Sequence, residues 1–531
     1  MESVPGRTPQ WASVSVASAN TQGQLDTELV GTIPPWLNGC LYRNGAGVYK
    51  VKDTDIKHFF DGFSVIHKFT ISDGKITYSS SLLDTCTLAD ALGIKRIIPT
   101  ARGLASLDDP CKSIFKGHFA MFPPERTDNT NVNIVQFADS LYALTETPTV
   151  NQIHPDKLNR LALIDLTQVV AIHTGTAHPH FGSNGDMFSY GTNFDYRRAY
   201  NIVKIPRPPL LTAEILASIS SRWPTNISYN HSFGMSENYF VILDQPVTFN
   251  TTKFDLTRSD IQGMAETLAL RHGEPLQFHI IDRRNNKRLR TIYETDSSFV
   301  FHFVNCYEEE DYLIVDVIIY HDISAILRLY VDSLKKTNFQ IPDAGSFARF
   351  VLPLNADNVP CDVNLVSLLG SKATAIKDFD ATNTIIVTPD FLLPDKINME
   401  LPRINYDFCA GRRHRYVYGN AIFSSYYRLV KLDVQEKTVK EWRLTQYYYP
   451  GEPIFVASPD AKEEDDGIIL SPVLCETLDE RSFLLILDAR SFTEIARAYI
   501  PENVQMSMTF HGTYTKQTQV NGDSAAVSIH L

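Results

Sequence analysis

No two cysteines in this chain stand in a Cys-X-X-Cys pair. The seven present (Cys40, Cys86, Cys111, Cys306, Cys361, Cys409 and Cys475) are odd in number and scattered. That argues against a disulfide framework and fits free thiols in a reducing compartment. Positive charge is also in short supply. With a formal net charge of −12, the chain has no basic footprint for a phosphate backbone, and no nucleic-acid partner is expected. Long hydrophobic runs are missing too. The longest, Tyr312 to Tyr320, is broken by Asp316 and is far too short to span a bilayer. The opening Met1-Glu2-Ser3-Val4-Pro5-Gly6 lacks the basic and apolar regions of a signal peptide. The expectation is a cytosolic protein that can still lie on a membrane surface.

Linkers and repeats are the last absences. No stretch is Gly/Ser-rich, no charge block is long enough to read as disordered, and no WD or kelch signature recurs. A length of 531 residues would otherwise suggest three or four domains. The reading is a Ser-, Thr- and Gln-rich N-terminal arm over 1–25 and a single domain over 26–531. An apolar content of 44% is ample for one large core.

What the chain does contain is short apolar runs broken by turn signals. Ser64 to Ile71 precedes Asp73-Gly74, and Lys75 to Ser81 follows it. Tyr239 to Leu243, Tyr312 to Tyr320 and Phe483 to Asp488 are of the same kind. They are strand-like in length and rich in Val, Ile, Tyr and Phe. Helical patterns are few, the best being Thr212 to Ile219 and Asp260 to Arg271. The fold class is all-β: a sandwich, a barrel or a propeller.

Four segments place a histidine among aromatic or small residues. They are Thr176-Ala177-His178-Pro179-His180-Phe181-Gly182, Tyr229-Asn230-His231-Ser232-Phe233-Gly234, Phe299-Val300-Phe301-His302-Phe303 and Ser507-Met508-Thr509-Phe510-His511-Gly512-Thr513-Tyr514. An imidazole in such company is costly unless a partner uses its lone pair. A metal ion can serve all four at once. Neutral imidazoles without thiolate or carboxylate are not the usual structural zinc set. They also differ from the two-His, one-carboxylate triad of many iron oxygenases. Taken singly, each histidine is more often a hydrogen-bonded core residue than a ligand, and spacing alone does not select the set.

A ligating histidine usually donates its other N–H to a carboxylate or carbonyl. Glu146, in Tyr142-Ala143-Leu144-Thr145-Glu146-Thr147-Pro148, and Glu400, in Met399-Glu400-Leu401-Pro402, are charges in apolar company. Glu464 stands in Lys462-Glu463-Glu464-Asp465-Asp466-Gly467, which by itself reads as a solvated acidic turn.

In order and separation, the four histidine segments resemble the iron-ligand segments of the carotenoid cleavage oxygenases. The resemblance runs from about Gly31 to Tyr514 and is greatest to the animal branch, within it to insect isomerooxygenases. It implies a seven-bladed β-propeller with a helical dome over one face. It implies Fe(II) held by His178, His231, His302 and His511, with His180 a bystander because the family's ligand precedes the proline. Glu146, Glu400 and Glu464 would stand behind His231, His302 and His511. Three carboxylates around a dication would leave the site near −1. The family's substrate cavity borders the text Phe59-Phe60-Asp61-Gly62-Phe63, which makes Phe60 a lining residue and Thr145 a second candidate. Two motifs depart from the animal pattern: Met399 and Leu401 replace aromatics around Glu400, and Asp108 begins the stretch Asp108-Asp109-Pro110-Cys111-Lys112.

Between Pro110 and Pro124, Ile114, Phe115, Phe119 and Phe122 fall on a helical stripe with Lys112 and Lys116 beside it. A core-facing helix and an interfacial one fit equally from the pattern. The resemblance favours the interfacial one, because family members draw apolar substrates from membranes. Cys111 is a candidate palmitoylation site. The implied activity is cleavage of a carotenoid's central double bond with O₂ and isomerisation of one half, giving all-trans and 11-cis retinal-type aldehydes. A retinyl-ester isomerohydrolase with the same metal site, and a non-catalytic propeller interaction module, are the alternatives.

Overall fold

The computed structural model describes residues 14–51, 54–93, 127–194, 198–207, 212–251, 268–335, 344–356, 359–379, 383–394, 397–421, 427–444, 448–476 and 480–516. The short apolar runs become antiparallel strands. Phe63–Ser72 and Lys75–Leu82 pair through Asp73 and Gly74, whose φ angles of 50° and 74° are those of a tight hairpin turn. Tyr312–Tyr320 is buried along its whole length. Polar Asp316 is tolerated there because Arg349 donates to both its carboxylate oxygens, at 2.8 and 2.7 Å.

Among the described residues, seven sheets of four or more strands follow one another along the chain and form the blades of a β-propeller. The first holds Gly39–Val48, Phe63–Ser72 and Lys75–Leu82. The second runs from Asn133–Phe137 to Arg160–Asp165, and the third from His180–Phe181 to Glu214–Ser220. The fourth is built on Gly234–Met235, Tyr239–Asp244 and Leu276–Asp282. The fifth starts at Phe299–Glu309, the sixth at Glu400–Arg403, and the seventh spans Tyr448–Pro450 to Glu494–Tyr499. The ends of the chain interlock two blades. Glu28–Gly31 completes the seventh by pairing with Glu494–Tyr499, and Gly512–Lys516 completes the first by pairing with Gly39–Val48. Closing the ring twice leaves neither sheet to hold its place through packing alone.

The edge strands of successive sheets face one another. Phe299–Glu309 touches Gly234–Met235 and Glu400–Arg403, while Gly512–Lys516 touches Asn133–Phe137 and Ile454–Ala457. Apolar side chains between sheets form the core, with Phe299, Tyr320, Phe347 and Leu484 fully enclosed.

Helices among the described residues are short: Cys86–Gly93, Ser324–Leu327, Val331–Leu334 and Tyr406–Cys409. The helical pattern at Thr212 to Ile219 is instead the edge strand Glu214–Ser220. Its backbone pairs with Ala199–Ile205, and it is exposed along most of its length. Little burial selects its side-chain period, so the apolar spacing there carries no helical meaning. Within the second pattern, Leu268–Leu270 is a strand, and residues 260–267 lie outside the described set.

From residue 14 the N-terminal segment lies on the body. Val14 and Ala19 are buried, and Asn20 Oδ1 accepts the Leu82 N–H at 2.9 Å. Six cysteines are described, and all are free thiols. No helix among the described residues is long and apolar enough to cross a membrane. Ile114, Phe115, Phe119, Phe122 and Cys111 lie outside the described residues.

Candidate metal centre

Each blade sends one functional side chain toward a common point. His178 and His231 lie just before the edge strands of the third and fourth blades, and His302 sits within that of the fifth. His511 immediately precedes Gly512–Lys516 of the first. The glycine after His511 is required. A Cβ at Gly512 would run into the Tyr42 carbonyl of the neighbouring strand.

One nitrogen from each of the four imidazoles falls within a cluster 4.8 Å across, and all but half-buried His178 are buried. Nε2 of His178 and Nε2 of His231 are 2.8 Å apart. Metal–imidazole bonds of about 2.0–2.1 Å meeting at a right angle would separate two nitrogens by about 2.8–3.0 Å.

The remaining three blades supply carboxylates. Glu146 of the second lies 2.6 Å from His231 Nδ1, Glu400 of the sixth 2.5 Å from His302 Nδ1, and Glu452 of the seventh 2.7 Å from His511 Nδ1. An ionised carboxylate only accepts, so each Nδ1 carries the proton and each Nε2 keeps its lone pair. Among the described residues, no carboxylate bonds to His178.

The donor set fits a metal ion. Nε2 of His302 is buried without a hydrogen-bond partner, a costly state that a cation would relieve. The imidazoles around it resist protonation. Burial, then His511, His231 and His302, holds His178 well below the usual histidine range. Burial outweighs Glu146 at His231, and outweighs Glu452 to bring His511 to about 3. Burial would raise Glu400, but His302, the Tyr320 hydroxyl and the Leu401 N–H hold it below its ordinary value. Burial likewise opposes ionisation of Glu452, and Arg403, His511 and Arg43 outweigh it. His178, His231 and His511 thus favour the neutral form, and Glu400 and Glu452 the charged one.

Glu464 is not behind His511. Its two oxygens accept the backbone N–H groups of Arg415 and Tyr416, both at 2.7 Å, tying an acidic turn to the sixth blade. Burial raises its pKa. Glu452 takes the place expected for it. The sequence marks Glu452 as it marks Glu146 and Glu400, by a lone charge in apolar company, here Tyr448-Tyr449-Pro450-Gly451-Glu452-Pro453-Ile454-Phe455.

His180 is kept from the centre by its own partners. Its Nδ1 lies 2.9 Å from the Tyr406 hydroxyl and its Nε2 lies 3.0 Å from the Phe233 carbonyl. Phe60 packs edge to face on Phe510, with ring centroids 5.4 Å apart, one residue from His511. Phe301 meets His231 the same way at 5.5 Å. Phe301 thus touches a cluster imidazole directly, and Phe60 packs on the chain neighbour of another. Thr145 is half-buried beside Glu146.

A family model described as retinal pigment epithelial membrane protein, RPE65, matches residues 16–516. Human beta,beta-carotene 15,15'-dioxygenase is 35% identical over 519 residues, covering 93% of each chain. The chain belongs to the RPE65/carotenoid oxygenase family.

This carotenoid oxygenase homologue is an enzyme, as its named relatives are. The ferret carotenoid-cleaving dioxygenase, mitochondrial, is 33% identical over 516 residues, 92% of this chain and 93% of its own. Among solved structures, an ACO/RPE65 chimera superposes with a TM-score of 0.75 at 24% identity, covering 96% of this chain and 98% of that one. Cobalt-substituted Synechocystis ACO gives 0.75 at 22% identity, with the same coverage. These neighbours share the propeller fold of the carotenoid oxygenase described here.

Proposed function

We propose that this enzyme is a non-haem Fe(II) dioxygenase. It cleaves the central double bond of a carotenoid with O₂ and isomerises one half, giving all-trans and 11-cis retinal-type aldehydes. The observation that carries the reading is the four-histidine cluster with a lone-pair nitrogen aimed inward from each blade that supplies one. Human and chicken relatives named beta,beta-carotene 15,15'-dioxygenase, each about 35% identical, support central cleavage. The isomerising step rests on the likeness to the insect isomerooxygenases.

His178, His231, His302 and His511 would hold the iron, and Glu146, Glu400 and Glu452 would fix the rings that bind it. When bound, iron supplies activation of O₂ toward an electron-rich double bond. The carbon–carbon double bond and O₂ become two carbonyl groups, so no proton must be moved. No side chain is needed as acid, base or nucleophile, and none is assigned. Phe60, packed on the neighbour of His511, and Phe301, packed on His231, suit a long apolar polyene and exclude water. Thr145 joins them as a lining residue. The 114–122 stripe, Ile114, Phe115, Phe119 and Phe122, would seat a cytosolic enzyme on a membrane that holds the substrate. Each apolar side chain contributes about 1.5–3 kcal/mol and each lysine roughly 1 kcal/mol near anionic lipid.

The test is product analysis after incubating iron-loaded protein with β-carotene and with a hydroxylated carotenoid, with O₂ uptake followed in parallel. Two C20 aldehydes with one 11-cis are expected. Release of retinol from a retinyl ester without O₂ uptake would replace this reading with the isomerohydrolase one.

A further inference from the structure

Two guanidinium groups converge on one of the three carboxylates. Glu452 Oε2 accepts from Arg43 Nη1 at 2.6 Å and from Arg403 Nη2 at 3.1 Å. Its Oε1 accepts from Arg403 Nε at 2.6 Å as well as from His511. The same arginines hold the backbone on both sides of His511. Arg43 Nη2 donates to the Phe510 carbonyl at 2.7 Å, and Arg403 Nη2 to the Gly512 carbonyl at 2.9 Å. The Arg43 and Glu452 side chains are 0% and 1% exposed, so solvent does little to screen them.

The other carboxylates are met differently. Glu146 accepts the Tyr229 hydroxyl at 2.6 Å. Glu400 accepts the Tyr320 hydroxyl at 2.5 Å and the Leu401 N–H at 2.7 Å. These donors are neutral and leave the charges in place.

Arg403 reaches the centre through a break in its strand. In a regular strand, residues three apart point to opposite faces. Between Glu400 and Arg403 the register slips, and Leu401 sits at φ 50°. A bulge of this kind re-aims a side chain. The four-residue strand Glu400–Arg403 thereby supplies both the carboxylate behind His302 and a guanidinium on the carboxylate behind His511. Three carboxylates and two guanidiniums sum to −1, so a dication would leave the site near +1. The carboxylates alone would leave it near −1.

We propose that Arg403 is a positioning residue that, with Arg43, neutralises Glu452 and makes His511 a weaker donor than His231 and His302, holding the centre's iron in the ferrous state. A histidine bonded to a free carboxylate gains basicity. One bonded to a carboxylate shared with two cations gains less. Added positive charge beside a metal favours its lower oxidation state. The inference rests on reading the four histidines as an iron site.

The experiment compares wild type, R403Q, R403K and E452Q, each loaded with Fe(II) and poised anaerobically with redox mediators. Ferric iron is read by electron paramagnetic resonance. At the wild-type midpoint, R403Q should raise the ferric-to-ferrous ratio at least tenfold, about 59 mV for a one-electron couple. R403K, which keeps the charge, should restore most of the difference. E452Q leaves the guanidiniums unopposed and should lower the ratio at least tenfold. If Arg403 were only structural, R403Q would lose stability while its bound iron kept the wild-type ratio, and that result overturns the inference. An E452Q ratio that does not fall overturns it equally, whether or not R403Q folds. Wild type that takes up no iron overturns the metal reading as well. Wild type that takes it up, with variants that match it, overturns this inference alone.

Discussion

Glu452 Oε1 lies 2.7 Å from His511 Nδ1, with both side chains almost fully enclosed. Glu452→Gln should lower iron affinity or turnover by roughly ten- to a hundredfold, the usual cost of losing the group that orients a ligand. Glu464→Gln should leave iron content near wild type. It should cost about 1–3 kcal/mol of stability, because the bonds it weakens are to backbone N–H groups. Iron analysis beside a urea titration separates the two, and an iron-poor Glu464→Gln would refute the assignment.

Replacing His231, His302 or His511 with alanine should strip most of the iron and cripple turnover. His180→Ala should retain iron, since both its ring nitrogens are engaged by Tyr406 and Phe233. Full activity in any of the three ligand variants would sink the ligand set.

Tyr229→Phe and Tyr320→Phe each delete one hydroxyl donor to a carboxylate and leave the carboxylate–histidine bond intact. Both should release iron to a chelator faster than wild type, yet more slowly than Glu146→Gln or Glu400→Gln. A tyrosine variant that loses iron as fast as its glutamine counterpart would contradict this order.

Acid should destabilise the fold once the pH falls below the usual histidine range. Burial lowers His58 and His414 to about 4 and His67 and His279 to about 3, in each case the largest effect. Below about pH 6.5 the unfolded chain takes up protons that these folded groups refuse. Their stabilising contribution is complete above that pH and is lost as pH falls toward 3–4. Urea midpoints at pH 7.5, 6 and 5 should fall in that order, and equal midpoints would count against it.

For the 114–122 stripe, Phe119→Ser combined with Phe122→Ser tests a lipid-facing role. The double variant should keep its thermal stability, bind anionic liposomes less and turn over membrane-delivered carotenoid more slowly than detergent-delivered carotenoid. High salt should weaken the liposome binding, because surface charge is screened within about 10 Å. A loss of several kcal/mol would place the stripe in a core instead.

The strand-rich class and the aromatic-flanked histidines are legible in the residues alone. Alternating or continuous apolar runs between turn residues are local signals, and His178, His231, His302 and His511 stood out as polar atoms in apolar text. Resemblance turned those four into a set. Spacing could not, because ligands that converge from four blades share no local motif. What stands behind each ring follows from the packing of distant blades. Glu452 and Glu464 are twelve residues apart in one loop-rich stretch. Which of them meets His511 depends on how the seventh blade closes against the first. Arg43 and Arg403 look like ordinary strand residues, and the bulge at Leu401 that aims Arg403 leaves no Gly in the sequence to mark it. The exposed strand Glu214–Ser220 misled for the opposite reason. With one edge paired and little buried, its side chains carry no period that reports the backbone.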